Sequence, residues 1–314
     1  MSDVDWKDKL IMLVIIGIIA GCLLPVQTSI NSKFRFTVGS PYLATINSLV
    51  GGTMFLMLIS LITGHPLLIP WSFLNSHPWW MYLGGLMGPL AFTINILLLP
   101  KLGAVQTVIM PLLGQIIMSM LIDEFGWFHM PVSTFNVIRL IGVFALLGGV
   151  LLVIYQKRTK KISHSSQLPW QFLGILAGFA LAIQTASNGA LGKAFASPVT
   201  SGIFSLLTGA ILMIIVIGIF QRNLTHIFRA AGHDNRWWIW LGGPIGSLYL
   251  FGSLTLAPII GAGTAIVLTI LGNIMGSIFI DKYGLLGTPK CHVGLRQYLG
   301  LLTMILGVVL IKFF

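Results

Sequence analysis

The chain has 314 residues, 18 of them Lys or Arg and 7 Asp or Glu, so that 8% is charged, against about 25% in an ordinary soluble domain. With 56% hydrophobic residues and a mean hydropathy of +0.95, it has too little polar surface to cover a compact body in water, which excludes a soluble globule and makes the lipid bilayer its solvent. The net charge of +11 sits in short loops, where it reports topology and not nucleic-acid binding.

The N-terminus, MSDVDWKDKL, places three acids and two lysines before an apolar run that no small-residue cleavage site ends, so it reads as a first transmembrane helix and not as a removed signal peptide. In chain order, apolar runs predict ten spans, near residues 10–31, 42–63, 79–99, 104–122, 137–155, 169–190, 199–220, 237–257, 263–280 and 297–313. The fourth and ninth are short and polar in the middle, but their neighbours could not connect without them. Cys22 lies in the first run and Cys291 in a loop; they make no metal-spaced pair, and neither a disulfide, a metal nor a cofactor is expected.

The chain repeats itself. An offset of 157 pairs Gly17 with Gly174, Gly21 with Gly178, Gln27 with Gln184, Thr28 with Thr185, Asn31 with Asn188 and Gly52 with Gly209. One inserted residue later, an offset of 158 aligns PWWMYLGGLMGP from Pro78 with RWWIWLGGPIGS from Arg236, Gly114 with Gly272, Asp123 with Asp281 and Gly142 with Gly300. Each half then holds five spans, an odd number, so the second half enters the membrane from the opposite side. The expected fold is all-α, integral to the membrane: ten transmembrane helices as two inverted five-helix repeats, residues 1–156 and 169–314, joined by a basic linker over 157–168. Such a pair has a pseudo-two-fold axis in the membrane plane and a site near the midplane that rocking opens to either face.

Basic residues orient the bundle. Lys7, Lys9, Arg139, Lys193 and Lys312 fall on one side and the remaining 13 of the 18 on the other, including the KRTKK linker. With the richer side cytoplasmic, both termini are extracytoplasmic.

Gln27 and Asn31 lie one turn apart on one face of the first helix, and Gln184 and Asn188 do the same on the sixth. Amides at that depth need partners. They bridge helices as glue, at about 0.6 to 2 kcal/mol each, or they line a wet cavity and offer donors and acceptors to a solute; the repeat favours the cavity, since the first helices of inverted repeats flank the pathway. Pro25 deprives the Gly21 carbonyl of its usual donor, which leaves either an acceptor for cargo or a proline tolerated near a helix end, and Ala182 holds the matching place. Gln115 and Asn273, repeat partners within LGQ and LGN, should point inward, because an unsatisfied amide in lipid is costly. Asn95, matched by Ser253, and Asn47, matched by Phe204, break the symmetry, as cargo without a two-fold axis would require.

The G-x-x-x-G patterns at Gly17, Gly84, Gly174 and Gly242 permit close helix approach, and a homodimer is compatible with them. Trp79, Trp80, Trp237 and Trp238 start spans, where aromatic belts form. Asp123 and Asp281 are the only acids matched by the repeat; they belong near the interfaces, in loop ion pairs or in a gating or coupling role. No Asp, Glu, Lys or Arg falls at the centre of a span, so an intramembrane carboxylate for exchanging a proton against a cation is missing. Soluble-enzyme signatures are absent too: there is no H-E-x-x-H, P-loop, G-x-S-x-G or Rossmann glycine run.

The segments GCLLPVQTSINSK, SPYLATINSLVGG, PWWMYLGGLMGP, LPKLGAV and LLGQIIMSMLIDEFGWF resemble the YdcZ-like branch of the drug/metabolite transporter superfamily, in its fused ten-span form, over nearly the whole chain. The resemblance implies an inverted-repeat bundle in a prokaryotic plasma membrane that moves small metabolites by alternating access, with the fifth and tenth helices as scaffold. It singles out Gln27, Asn31, Gln115 and Asp123 with Gln184, Asn188, Asn273 and Asp281. Asn273 in place of a second Gln, and Ala182 in place of a second Pro, depart from strict equivalence.

The expected function is therefore that of a non-enzymatic secondary transporter for a small polar or amphipathic metabolite, with export preferred because no central charge captures a scarce ionic nutrient. Gln27, Asn31, Asn95, Gln115, Gln184, Asn188 and Asn273 are the expected substrate contacts, and Asp123, Asp281 and Pro25 the gating or coupling residues. The alternatives are a non-transporting assembly subunit, whose amides are glue, and a passive channel.

Overall fold

The structure, a computed structural model, describes residues 3–130, 132, 136–154, 167–220, 224–231, 237–260, 262–288, 290 and 294–313; residues 157–166 of the expected linker and Cys291 lie outside them. Among these residues ten α-helices run in chain order: α1 (Asp3–Val38), α2 (Pro41–Thr63), α3 (Trp71–Ser76), α4 (Gly84–Phe125), α5 (Val137–Ile154), α6 (Leu168–Ala194), α7 (Pro198–Phe220), α8 (Gly242–Ile260), α9 (Ala262–Tyr283) and α10 (Leu295–Phe313). Short 3-10 turns link some of them, and no strand occurs among the described residues.

Among the described residues, six segments are long and apolar enough to cross a membrane: Ile11–Val38, Pro41–Thr63, Trp79–Gly103, Val105–Phe125, Leu168–Ala194 and Pro198–Ile219. Shorter apolar helices lie at Val137–Leu152 and Leu295–Ile311. Large apolar side chains such as Ile62, Phe144 and Leu306 stay exposed on the outer faces, as lipid permits. This is an all-α membrane protein. Its helix ends follow ordinary capping chemistry: Ser40 Oγ accepts the Leu43 N–H at 3.3 Å with Pro41 in the first turn, and Gly64 (φ 73°) closes α2 in the left-handed conformation.

Most of the third predicted span and all of the fourth fall within one 42-residue helix, α4, with a 3-10 turn over Trp79–Tyr82 before it. Straight, it would run about 63 Å, twice the thickness of a hydrocarbon core. It does not run straight, because Gly103 takes φ 79° and ψ 171°, a conformation open to glycine alone. Both arms pack on α6, in opposite senses. In the first, Gly84 meets Asn188, Gly88 meets Gln184 and Leu98 meets Gly174. In the second, Gln106 pairs with Gln171, Met110 with Gly174 and Gly114 with Ile175, while Met118 and Ile122 cluster with Ala182 and Ala186. The chain therefore reverses at Gly103.

The same pairings set the remaining directions. α1 runs against α8 (Asn31 on Gly242, Gln27 on Gly246) and along α9 (Gly17 on Leu268, Pro25 on Gly276). α2 opposes α7 (Gly52 on Leu206, Leu56 on Gly202) and follows α8; α7 follows the first arm of α4 (Gly85 on Thr208, Pro89 on Gly209). α5 opposes α10, with Gly142 on Gly307 and Gly149 on Gly300. Traced from neighbour to neighbour, α1 and α6 point in opposite directions.

Small residues make these approaches close enough to carry a membrane bundle, where lipid leaves little hydrophobic drive between helices. At Gly21, Gly114, Gly178 and Gly272 a Cβ would strike the carbonyl of Thr269, Ile175, Pro111 and Ile18 respectively. One buried cluster joins α4, α5, α6 and α10 around Leu98, Ile109, Leu146 and Met304; another joins α1, α2 and α7 around Phe34, Leu49, Ile203 and Ile217.

Candidate functional site: two polar clasps

The amides foreseen on α1 lie against α2 and α8. Asn31 is 3% and Gln27 6% exposed. Both donate to one hydroxyl, Asn31 Nδ2 to Ser48 Oγ at 2.9 Å and Gln27 Nε2 to the same atom at 3.3 Å. Gly242 and Gly246 of α8 make room for them: a Cβ on either would fall on the Asn31 or Gln27 amide. Asn31 Oδ1 is buried without a hydrogen bond.

The same five-residue set recurs on α6, α7 and the first arm of α4 as Gln184, Asn188, Ser205, Gly84 and Gly88. Ser205 follows Ser48 by the repeat offset of 157. Gln184 lies over Gly88 and Asn188 over Gly84, but both amides are only half-buried, and the Ser205 hydroxyl, buried at 3% exposure, has no hydrogen-bond partner. The second arrangement has the parts of the first without its bonds.

At Ile183, next to Gln184 in the chain, opens a cleft of about 380 Å³, lined also by Trp80, Leu83, Met87, Met118, Trp127 and Phe128. Trp80 and Phe128 meet edge to face at 5.6 Å, so the tryptophan expected as an interface anchor also forms this wall, while Trp79 is exposed. No lining residue is charged. At the equivalent place in the other half, Val26 and Leu286 pack on Leu99 and Ile280, and Pro25 lies against Gly276.

The other predicted positions disperse. Asn95 shares a helical face with Gly84 and Gly88, and its Oδ1 is buried without a partner, as is that of Asn273 on α9. The main chain at Gln115 meets Gly178, and its side chain is half-buried. α1 continues through Pro25, whose own carbonyl accepts from Ser29 Oγ at 2.8 Å. Asp123 is half-buried in the last turn of α4. Asp281, 3% exposed, does something the residue pattern did not suggest: its Oδ2 accepts the Val105 N–H at 2.9 Å, just past the reversal at Gly103. A carboxylate from α9 thus caps the second arm of α4, where the helix dipole favours negative charge. Asp281→Ala should cost about 1 to 2 kcal/mol of stability, read as a lower midpoint of thermal unfolding in detergent, whereas Asp281→Asn, which keeps an acceptor, should retain most of it. Ser48 and Ser205 went unremarked in the sequence because serine is common in such spans; their offset of 157 was the available signal.

A bundle of membrane-length helices packed through glycines, with uncharged polar side chains between them and an apolar cleft alongside, is the makeup of a polytopic helical membrane protein. The profile of the family described as "Putative inner membrane exporter, YdcZ" matches residues 12–152 and again 169–310, segments whose starts and ends are offset by 157 and 158 like the internal register. The chain belongs to this YdcZ branch of the drug/metabolite transporter superfamily and is an inner-membrane protein. Among solved structures, one described only as "Crystal structure of protein" is similar with a TM-score of 0.58 at 15% identity, over 95% of this chain and 96% of that one; the likeness is one of fold. No curated protein matches the chain.

Proposed function

We propose that the protein is a secondary transporter that moves a small polar or amphipathic metabolite across a prokaryotic plasma membrane by alternating access, in the direction of export, with ten spans arranged as two inverted five-helix repeats. The observation that carries this reading is the exchange of contacts between halves. Gly21 meets Thr269 as Gly178 meets Pro111, Gly272 meets Ile18 as Gly114 meets Ile175, and Gly242 meets Asn31 as Gly84 meets Asn188. Partners swapped in this way are the mark of a two-fold relation, and the antiparallel courses of α5 with α10 and α2 with α7 support an axis in the membrane plane, the architecture on which rocking transporters are built. Gln184, Asn188, Gln27 and Asn31, with Asn95, Gln115 and Asn273, are the polar contacts in this reading; the aromatic cleft takes the apolar part of the cargo. Uncharged amides and rings select neutral polar groups on an aromatic or aliphatic body.

The test is flux. Metabolites that raise the unfolding temperature of the purified protein should cross proteoliposomes with saturable rates, and a cysteine placed at 159 should be labelled only from the cytoplasmic side. Stabilisation by no metabolite together with no flux supports an assembly subunit in its place, non-saturating flux supports a channel, and labelling from outside reverses the topology.

A further inference from the structure

Away from the amide sets, α5 and α10 form a pair held face to face by glycines. Gly149 lies on Gly300 and Gly142 on Gly307, an antiparallel register that sets residue 153 level with Arg296 and the middle of the pair near residues 145 and 304. Along the outer side of the pair runs a groove of about 660 Å³, lined by Phe144, Gly148, Leu151 and Leu152 of α5 with Arg296 and Thr303 of α10. Gly148 opens it: a Cβ added there would meet nothing within 4 Å. From the level of Arg296 down to Phe144 is about 14 Å along the helix axis, close to half of a hydrocarbon core of about 30 Å. The groove therefore spans one leaflet, from the middle of the bilayer to one surface.

The internal repeat supplies a comparison. At the offset of 158, the mate of Gly148 is Leu306 and the mate of Arg296 is Ile138, so the corresponding strip at the other end of the pair has its notch filled and carries no cation. A helix flank that merely faces acyl chains needs neither an opening nor a charge. Both occur together at one end only, and it is the basic end, since α5 stops three residues before Lys157 and Arg158. Arg296 is exposed in the first turn of α10, where the helix dipole adds to its attraction for an anion. Neither α5 nor α10 contains an acid, and Arg296 has no ion pair among the described residues.

We propose that this groove is the seat of one anionic phospholipid from the leaflet on the basic side, its phosphate on Arg296 and one acyl chain laid over Gly148 as far as Phe144. The guanidinium presents donors in a fork that matches a phosphate, and the chain covers Phe144 and Leu151, which are 65% and 67% exposed. A second copy of the protein suits the groove less well. A two-fold axis along the membrane normal would bring two Arg296 side chains to one depth, with no acid on either helix to separate them.

Native mass spectrometry of the full chain in detergent, with dioleoylphosphatidylglycerol or dioleoylphosphatidylcholine added, reads bound lipid and oligomeric state together. One phosphatidylglycerol should be held about tenfold more tightly than phosphatidylcholine, the worth of one charge-assisted contact. Arg296→Gln should erase that preference, and Gly148→Leu, which copies the filled notch of the other end, should weaken both lipids. Both substitutions lie on the outer surface, so the unfolding midpoint without added lipid should stay where it is. Equal affinity for the two lipids in the unaltered protein, or affinity for phosphatidylglycerol that either variant leaves unchanged, overturns the seat. A dimer whose population falls in these variants gives the groove to a second copy instead.

Discussion

Gly178→Ala is expected to leave little folded protein, although it adds one methyl group. The added carbon would land on the Pro111 carbonyl and beside the Gln115 nitrogen, both main-chain atoms that cannot turn aside as a side chain does. Relief requires α6 to part from the second arm of α4 along its length. That separation forfeits the packing of Ala177, Met110, Leu113 and their neighbours, so a cost of about 3 kcal/mol or more is expected. Gly272→Ala should behave alike, because its carbon meets the Ile18 carbonyl in the exchanged pairing. Gly148→Ala and Gly218→Ala are the controls: nothing lies within 4 Å of either added carbon, and removing a helical glycine there is neutral or stabilising by up to about 1 kcal/mol. Monodisperse yield and the unfolding midpoint in detergent read the difference. Equal midpoints for Gly178→Ala and Gly148→Ala would mean that the helices stand further apart than described.

Gln27→Ala combined with Gln184→Ala should abolish flux while membrane insertion stays intact, and the single variants should part company in stability. Gln184 makes no side-chain hydrogen bond among the described residues and is half-buried, so Gln184→Ala should shift stability by less than about 0.5 kcal/mol yet lower flux at least about tenfold, the worth of one or two neutral hydrogen bonds to cargo. Gln27 is buried, bonded to Ser48 and seated over Gly246. Gln27→Ala should cost about 1 kcal/mol and also leave space on Gly246. The checks are initial rates in proteoliposomes and unfolding midpoints on the same preparations. Undiminished flux in the double variant takes these amides off the pathway.

Much of this molecule is written in its residues one after another. A chain with 8% charge and 56% hydrophobic residues has no route to a soluble fold, and the matched glycines, amides and aspartates expose the internal duplication without coordinates. The predicted spans at 79–99 and 104–122 correspond to the arms of α4, even though the helix bonds run on past Gly103: the turn there is backbone geometry that the glycine permits and that Asp281, 176 residues beyond Val105, secures. The role of Asp281 could not be read from its neighbours, since the N–H it accepts belongs to the other half of the chain. Nor could the place of the central amides. Gln115 and Asn273 match in sequence, but the main chain at Gln115 is pressed on Gly178 while Asn273 Oδ1 is buried without a partner.

Composition and register thus settle the solvent, the helices and which positions correspond, because each depends on local residue chemistry repeated along the chain. Which of two equivalent serines holds its amides is of another kind. Gln27, Asn31 and Ser48 match Gln184, Asn188 and Ser205 type for type, and nothing in either set alone distinguishes bonded from unbonded. The difference arises from how α2 sits on α1 compared with how α7 sits on α6. That is a property of helices packed against each other, where a shift of an ångström or two decides whether a hydroxyl comes within bonding distance.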